Sequence, residues 1–229
     1  MAARNIPERR KKELLETAEK MFYSKGFENT SVKEITDAMG VAKGTFYYYF
    51  SSKDELLTAL AEYRLNEMNN TIIAEVMETN QHATAKMRTL FTRIGIWKMD
   101  NIELVKSLIF VLYSDKNLRL RYTMNQTGAD IITPNLIKII KQGISEGEFD
   151  LEYPEKVAEI IMRLFFSIAE PSADLVKDFF LTGNIPYQLY TLYDAIEFSI
   201  GRILGVKEKS LELFPRELLD KFFKIGGEE

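Results

Sequence analysis

The sequence contains no cysteine and only one histidine, His82. The first absence removes disulfides, thiolate zinc sites, iron–sulfur clusters and cysteine nucleophiles, and the second leaves little for a histidine-based metal centre. No Gly-rich phosphate loop and no recognisable nucleophile motif is present, and the paired acids Glu146 and Glu148 fall in a turn-like segment. We therefore expect no enzymatic activity, no cofactor and no metal. Nor is there a run approaching the roughly 20 uninterrupted apolar residues that cross a bilayer, and the opening MAARNIPERRKKE lacks the apolar core of a signal peptide. The expectation is a cytoplasmic protein with no membrane partner.

What is present is the mixture of an ordinary folded protein, 46% hydrophobic and 28% charged. The formal charge of -4 hides an asymmetry: residues 1 to 53 carry ten Lys/Arg against seven Asp/Glu, and the remainder twenty against twenty-seven. A basic head on an acidic body suits a DNA reader joined to a domain that does not touch DNA, although a bias of three charges raises that reading only slightly. The cluster Arg9, Arg10, Lys11, Lys12 reads equally as a solvated face and as an auxiliary backbone arm.

Helical periodicity runs throughout. Leu14, Leu15, Ala18, Met21 and Phe22 share one face of a first helix. Later helical stretches are predicted over 53–79, 84–98, 101–113, 116–143, 154–180, 186–205 and 215–224, with breaks at Ser51-Ser52, around Asn80, at Gly143 to Gly147, at Gly183 to Pro186 and before Pro215. Pro7 suits a first helical turn, and Ser31-x-x-Glu34 and Ser52-x-x-Glu55 both fit a capping box. Pro134 and Pro171 fall inside helical patterns and should kink or break them. His82 reads as a loop residue near a helix start.

The informative segment is 31 to 50, SVKEITDAMGVAKGTFYYYF. A capped helix to about Met39, a turn at Gly40-Val41 and a second short helix from about Ala42 to Tyr49 make a helix-turn-helix, whose second member can enter a major groove about 12 Å wide. Val32, Ile35, Val41, Phe46 and Phe50 are the expected inward set. The candidate DNA-contacting set is Ser31, Lys33, Lys43, Gly44, Thr45, Tyr47, Tyr48 and Lys53. Lysine neutralises phosphate and can donate to guanine, threonine and tyrosine offer hydroxyl donors, and glycine permits close approach.

From about Leu15 to Leu56 the chain resembles the DNA-binding domain of the tetracycline-repressor (TetR) family. It carries Ala18, Phe22, Gly26-Phe27, Thr30-Ser31-Val32, Ile35, Gly40-Val41, Lys43-Gly44-Thr45-Phe46-Tyr47, Phe50, Lys53 and Leu56 in register. The resemblance implies an all-α homodimer: an N-terminal three-helix helix-turn-helix domain, residues 1–54, followed by a larger helical ligand-binding and dimerisation domain, residues 55–229. It further implies recognition by the 42–48 helix, phosphate contacts at Thr45, Tyr47 and Lys53, repression of double-stranded operator DNA relieved by a small molecule, and helices 154–180 and 186–205 paired across a two-fold axis. Two departures stand out: Ala42 where the family often has a capping serine, and Thr36 where alanine is common.

Beyond residue 84 the sequence becomes less specific. Met87, Phe91, Ile94, Trp97 and Phe110, with Tyr113, Met124, Phe165 and Phe166, suit an apolar ligand pocket, and suit a plain core equally well. Ile161, Leu164, Ile168, Leu192 and Ile196 are the candidate dimer contacts. The reading adopted is a repressor released by a largely apolar ligand. A ligand-independent DNA-binding protein or activator on the same fold, a helical enzyme and an interaction bundle remain as alternatives.

Overall fold

The computed structural model describes residues 6–206 and 211–227, and among them every regular element is helical. Packing divides the chain into two compact units: residues up to Arg64 with Glu103–Met124, and Leu65–Ile102 with Asn125 onward.

The first unit begins with α1 (Ile6–Lys25), α2 (Val32–Ala38), α3 (Lys43–Tyr49) and the start of α4 (Lys53–Met68). Of the residues that helical spacing placed inward, Leu14, Leu15, Ala18, Phe22, Ile35, Phe46 and Phe50 are buried, whereas Met21, Val32 and Val41 are only partly covered; Leu56 and Leu57 of α4 add to the interior. α7 (Ile102–Leu112) and the first turns of α8 (Leu118–Glu146) complete it. Two buried polar groups are satisfied inside this unit. Glu19 takes a two-pronged contact from Arg64, with Nε at 2.7 Å, and the Asn117 amide donates to Asp54 at 2.9 Å and to the Val111 carbonyl at 3.0 Å.

In the second unit, α4 passes through a π-helical stretch, Asn69–Ile73, into α5 (Ala74–Glu78), followed by α6 (Ala83–Asp100), the rest of α8, α9 (Pro154–Thr182), α10 (Gln188–Ile203) and α11 (Arg216–Gly226). Met87, Leu90, Leu136, Ile139, Ile140, Ile161 and Ile200 form its core. His82, at the N-cap of α6, offers that helix no side-chain bond. The caps come instead from the far side of the sequence: Glu146 accepts from the Ala83 amide and Glu148 from the Thr84 amide, each at 2.8 Å. Two carboxylates at a helix N-terminus satisfy orphan donors and oppose the positive end of the dipole.

Three expectations need revision. The helix predicted over 53–79 is interrupted by the π-helical stretch, which hydropathy does not reveal. The second capping box is offset by one residue: Ser52 Oγ accepts from the Glu55 amide at 3.0 Å, but the Glu55 carboxylate returns to the Ser51 amide at 2.7 Å. Neither Pro134 nor Pro171 breaks its helix. Both prolines are exposed, as are Asp130 and Ser167 four residues earlier, so the carbonyls deprived of a partner lie on the solvent side.

Candidate nucleic-acid interface

The motif is rigidly framed by local chemistry. Ser31 caps α2 in a reciprocal box: its Oγ accepts from the Glu34 amide at 3.2 Å, and the Glu34 carboxylate accepts from the Ser31 amide at 2.8 Å. The Lys25 ammonium also reaches Glu34 and, with the Ser31 hydroxyl and amide, pulls its carboxyl down to about 2. Gly40, at φ 64°, makes the turn in a conformation that other residues adopt only at a cost, and the Val41 amide donates back to the Thr36 carbonyl at 3.0 Å. Thr36, the departure on α2, is buried and spends its hydroxyl on the Val32 and Lys33 carbonyls. At Ala42 no side chain caps α3, as its residue type requires.

α3 is a seven-residue helix, about 10 Å long at 1.5 Å per residue, which matches the width of a major groove. Phe46 and Phe50 anchor it at 0% and 2% exposure. Lys43, Gly44, Tyr47 and Tyr48 are left on the surface, Tyr47 half exposed and Tyr48 at 76%, with Thr45 partly covered beside them. A Cβ built on Gly44 meets nothing within 4 Å, so the fold itself does not demand glycine there. Ser31 and Lys33 stand exposed at the start of α2, where Lys33 pairs with Asp37 at 2.7 Å, an exposed i, i+4 pair that is weak and exchangeable.

Lys53 does not share this outward presentation. It is half buried, and its ammonium donates to the Phe27 and Thr30 carbonyls at 2.7 and 2.9 Å. In the basic cluster ahead of the motif, Arg9 and Arg10 both pair with Glu13, Lys12 pairs with Glu16, and Lys11 stands 5.7 Å from the Phe50 ring.

The residues singled out for a ligand pocket do not all gather in one place. Met87, Phe91, Ile94, Trp97, Phe165 and Phe166 pack in or against the core of the second unit, whereas Phe110, Tyr113 and Met124 belong to the first. Phe91 and Phe165 are joined by Phe214 and Tyr193 in one aromatic cluster, with Phe91 5.2 Å from Phe165 and Phe214 4.8 Å from Tyr193. The sequence offered no signal for Phe214, which reaches the cluster from the segment before α11. The first unit contains a cleft of about 510 Å³ lined by Lys11, Glu55, Glu62, Arg119 and Leu120 among others, none of them in the set singled out for a ligand pocket.

Among the candidate dimer contacts, Ile161 and Ile196 are buried in the subunit's own core, while Leu164, Ile168 and Leu192 are partly exposed. The exposed large apolar side chains on these helices are Ile160 and Leu181 on α9, at 48% and 73%, and Phe198 on α10, at 66%. Phe198 was recognisable in principle, since two residues on from Ile196 is about 200° around a helix and hence the opposite face.

A short capped helix, a glycine turn and a second helix with a basic and aromatic outer face make a helix-turn-helix, an arrangement whose second helix can enter a major groove. Residues 14–60 match the family model of bacterial regulatory proteins, tetR family. The chain is 37% identical over 65 residues to the HTH-type transcriptional regulator YerO of Bacillus subtilis, an alignment covering 27% of this chain and 22% of that one. To the HTH-type transcriptional repressor KstR2 of Mycolicibacterium smegmatis it is 25% identical over 147 residues, 62% of this chain and 69% of that one. The fold is similar to that of the TetR-family repressor FadR of Thermus thermophilus in complex with lauroyl-CoA, with a TM-score of 0.61 at 17% identity over 83% of this chain and 94% of that one. The chain spans only about a fifth to two fifths of the length of the first curated relatives it matches.

Proposed function

We propose that the protein is a homodimeric transcriptional repressor that occupies operator DNA and leaves it when a small, largely apolar molecule binds. The observation that carries this reading is the outer face of α3: Lys43, Gly44, Tyr47 and Tyr48 are presented to solvent on a helix anchored by two buried phenylalanines. In the proposed division of labour, residues 1–54 read DNA and residues 55–229 dimerise and sense the ligand. The setting is the cytoplasm, and no catalytic step is involved.

Ser31, Lys33, Thr45 and Tyr47 position the domain on phosphate, and Lys43 reads a base edge at the N-terminal end of α3. Two subunits joined through α9 and α10 present two such helices to successive grooves. The ligand site lies in the aromatic interior of the second unit, around Phe91, Trp97 and Phe165. A relative of similar fold that holds lauroyl-CoA supports an apolar ligand.

Release requires that the ligand prefer one dimer state, because equal affinity for both shifts nothing. Linkage then makes ligand and operator weaken each other by the same factor, about 1 to 3 kcal/mol in typical coupled systems. Trp97, the only tryptophan, reports on the site. Titration with long-chain acyl compounds and small aromatics should give saturable quenching, and operator DNA should raise the apparent dissociation constant. A ligand bound equally well with and without operator would replace this mechanism by ligand-independent binding.

A further inference from the structure

Gly26, at φ 82°, ends α1 and turns the chain towards α2. In the turn that follows, Phe27 packs edge-on against Phe22 at 5.1 Å. The buried Thr30 donates its hydroxyl to the Gly26 carbonyl at 2.8 Å and its amide to the Phe27 carbonyl at 3.2 Å. Lys53, the first residue of α4, supplies what this turn lacks. Its ammonium donates to the Phe27 carbonyl at 2.7 Å and the Thr30 carbonyl at 2.9 Å, with the Glu28 carbonyl at 3.5 Å, and it stands 4.1 Å from the Phe27 ring centroid.

The sequence separations of 26 and 23 residues make this more than a local cap. The bond joins the turn before α2 to the helix after α3, so it closes the entire helix-turn-helix into a ring. An ammonium has three donors, and here they point at backbone carbonyls and an aromatic face. Swinging the side chain out to a phosphate would strip the carbonyl of a residue that is 1% exposed, Thr30, of a charge-assisted bond.

We infer that Lys53 is a positioning residue for DNA recognition: it clamps the α1–α2 turn to the start of α4, fixes the attitude of α3 between them, and is not a phosphate contact. The inference rests on the DNA-reading function proposed above. Without the clamp, Phe46 and Phe50 still hold α3 in place, but the turn before α2 and the helix after α3 are free to part. Recognition tolerates only small errors in the placement of its contacting groups.

The test compares wild type with Lys53→Met and Lys53→Arg, using a duplex from the region upstream of the protein's own gene. Fluorescence anisotropy over a range of salt concentrations gives affinity and salt slope, and thermal unfolding gives stability. Both variants should unfold at lower temperature and, while still folded, bind about tenfold more weakly, with Arg no better than Met. The slope of log affinity against log salt should stay that of wild type. A slope shallower by about one unit in the Met variant, or wild-type affinity in the Arg variant, would assign Lys53 to phosphate and overturn the inference. A lower midpoint with unchanged affinity would leave it merely structural, which also overturns it. Should the Met variant fail to fold, the Arg variant decides alone. Wild type that does not bind the duplex would overturn the function itself, an outcome distinct from variants that match a binding wild type.

Discussion

The Lys43 ammonium lies 5.6 Å from the centre of the Tyr47 ring, one turn further along α3, and both side chains are on the exposed face of that helix. An exposed cation over a ring is held by about 0.5 to 1 kcal/mol, enough to bias its direction and too little to keep it from a base. Replacing Lys43 by Ala should therefore relax preference at one base position in each half-site by about 1 to 3 kcal/mol, measured by competition among single-base operator variants. Uniform weakening across all variants would move Lys43 to the backbone. Tyr47→Phe, which deletes only the hydroxyl, should show that uniform weakening.

Gly44 separates stability from recognition. Its α-helical position has room for a methyl group, so Gly44→Ala should keep or raise the unfolding midpoint, since alanine favours helix interiors by about 0.5 to 1 kcal/mol. Operator affinity should fall all the same, because the added carbon holds α3 off the groove floor. Calorimetry and anisotropy on one preparation check both halves. Undiminished binding would show that α3 does not make a close approach at this point.

Phe198 and Ile161 should respond in opposite ways to a charge. Phe198 is 66% exposed on α10, and Phe198→Glu should give a folded monomer by sedimentation velocity. Ile161 is 1% exposed, and a charge there should unfold the second unit, because an unpaired buried charge is strongly destabilising. A dimer that survives Phe198→Glu would move the interface away from this face.

Acid should release the cap of α2. The Glu34 carboxyl is depressed from an ordinary 4.5 to about 2, first by Lys25 and then by Ser31. A carboxyl whose value is lowered by folding contributes stability above its unfolded value and loses it as pH falls through the folded one. The stability gap between wild type and Glu34→Gln should therefore be largest above pH 4.5 and close as pH approaches 2. Denaturant titrations followed by helical circular dichroism at several pH values measure it, and a pH-independent gap would contradict the assignment.

Much of this was legible in the sequence because the governing forces are local. Helical spacing fixed the inward set Leu14, Ala18, Phe22, Ile35 and Phe46, and the Ser31 capping box formed as its spacing demands. What could not be read depends on partners distant in the chain. Lys53 was expected to face outward because it follows a recognition helix, and only the folded turn 27–30 shows where its donors go. The Glu146 and Glu148 caps on α6 bridge more than sixty residues, and Phe214 meets Phe91 from still further away. Ile161 and Ile196 were drawn from apolar content alone, which cannot say which side of a doubly packed helix meets the core.

The central claim is that this protein binds specific duplex DNA as a dimer through α3, and an electrophoretic shift against the DNA upstream of its own gene tests it most directly. The account predicts retardation that survives excess unrelated duplex and disappears with an operator half-site deleted. It also predicts that Lys43→Ala changes which sequences compete. Equal retardation of related and unrelated DNA, or none at protein concentrations where the dimer is formed, would contradict it.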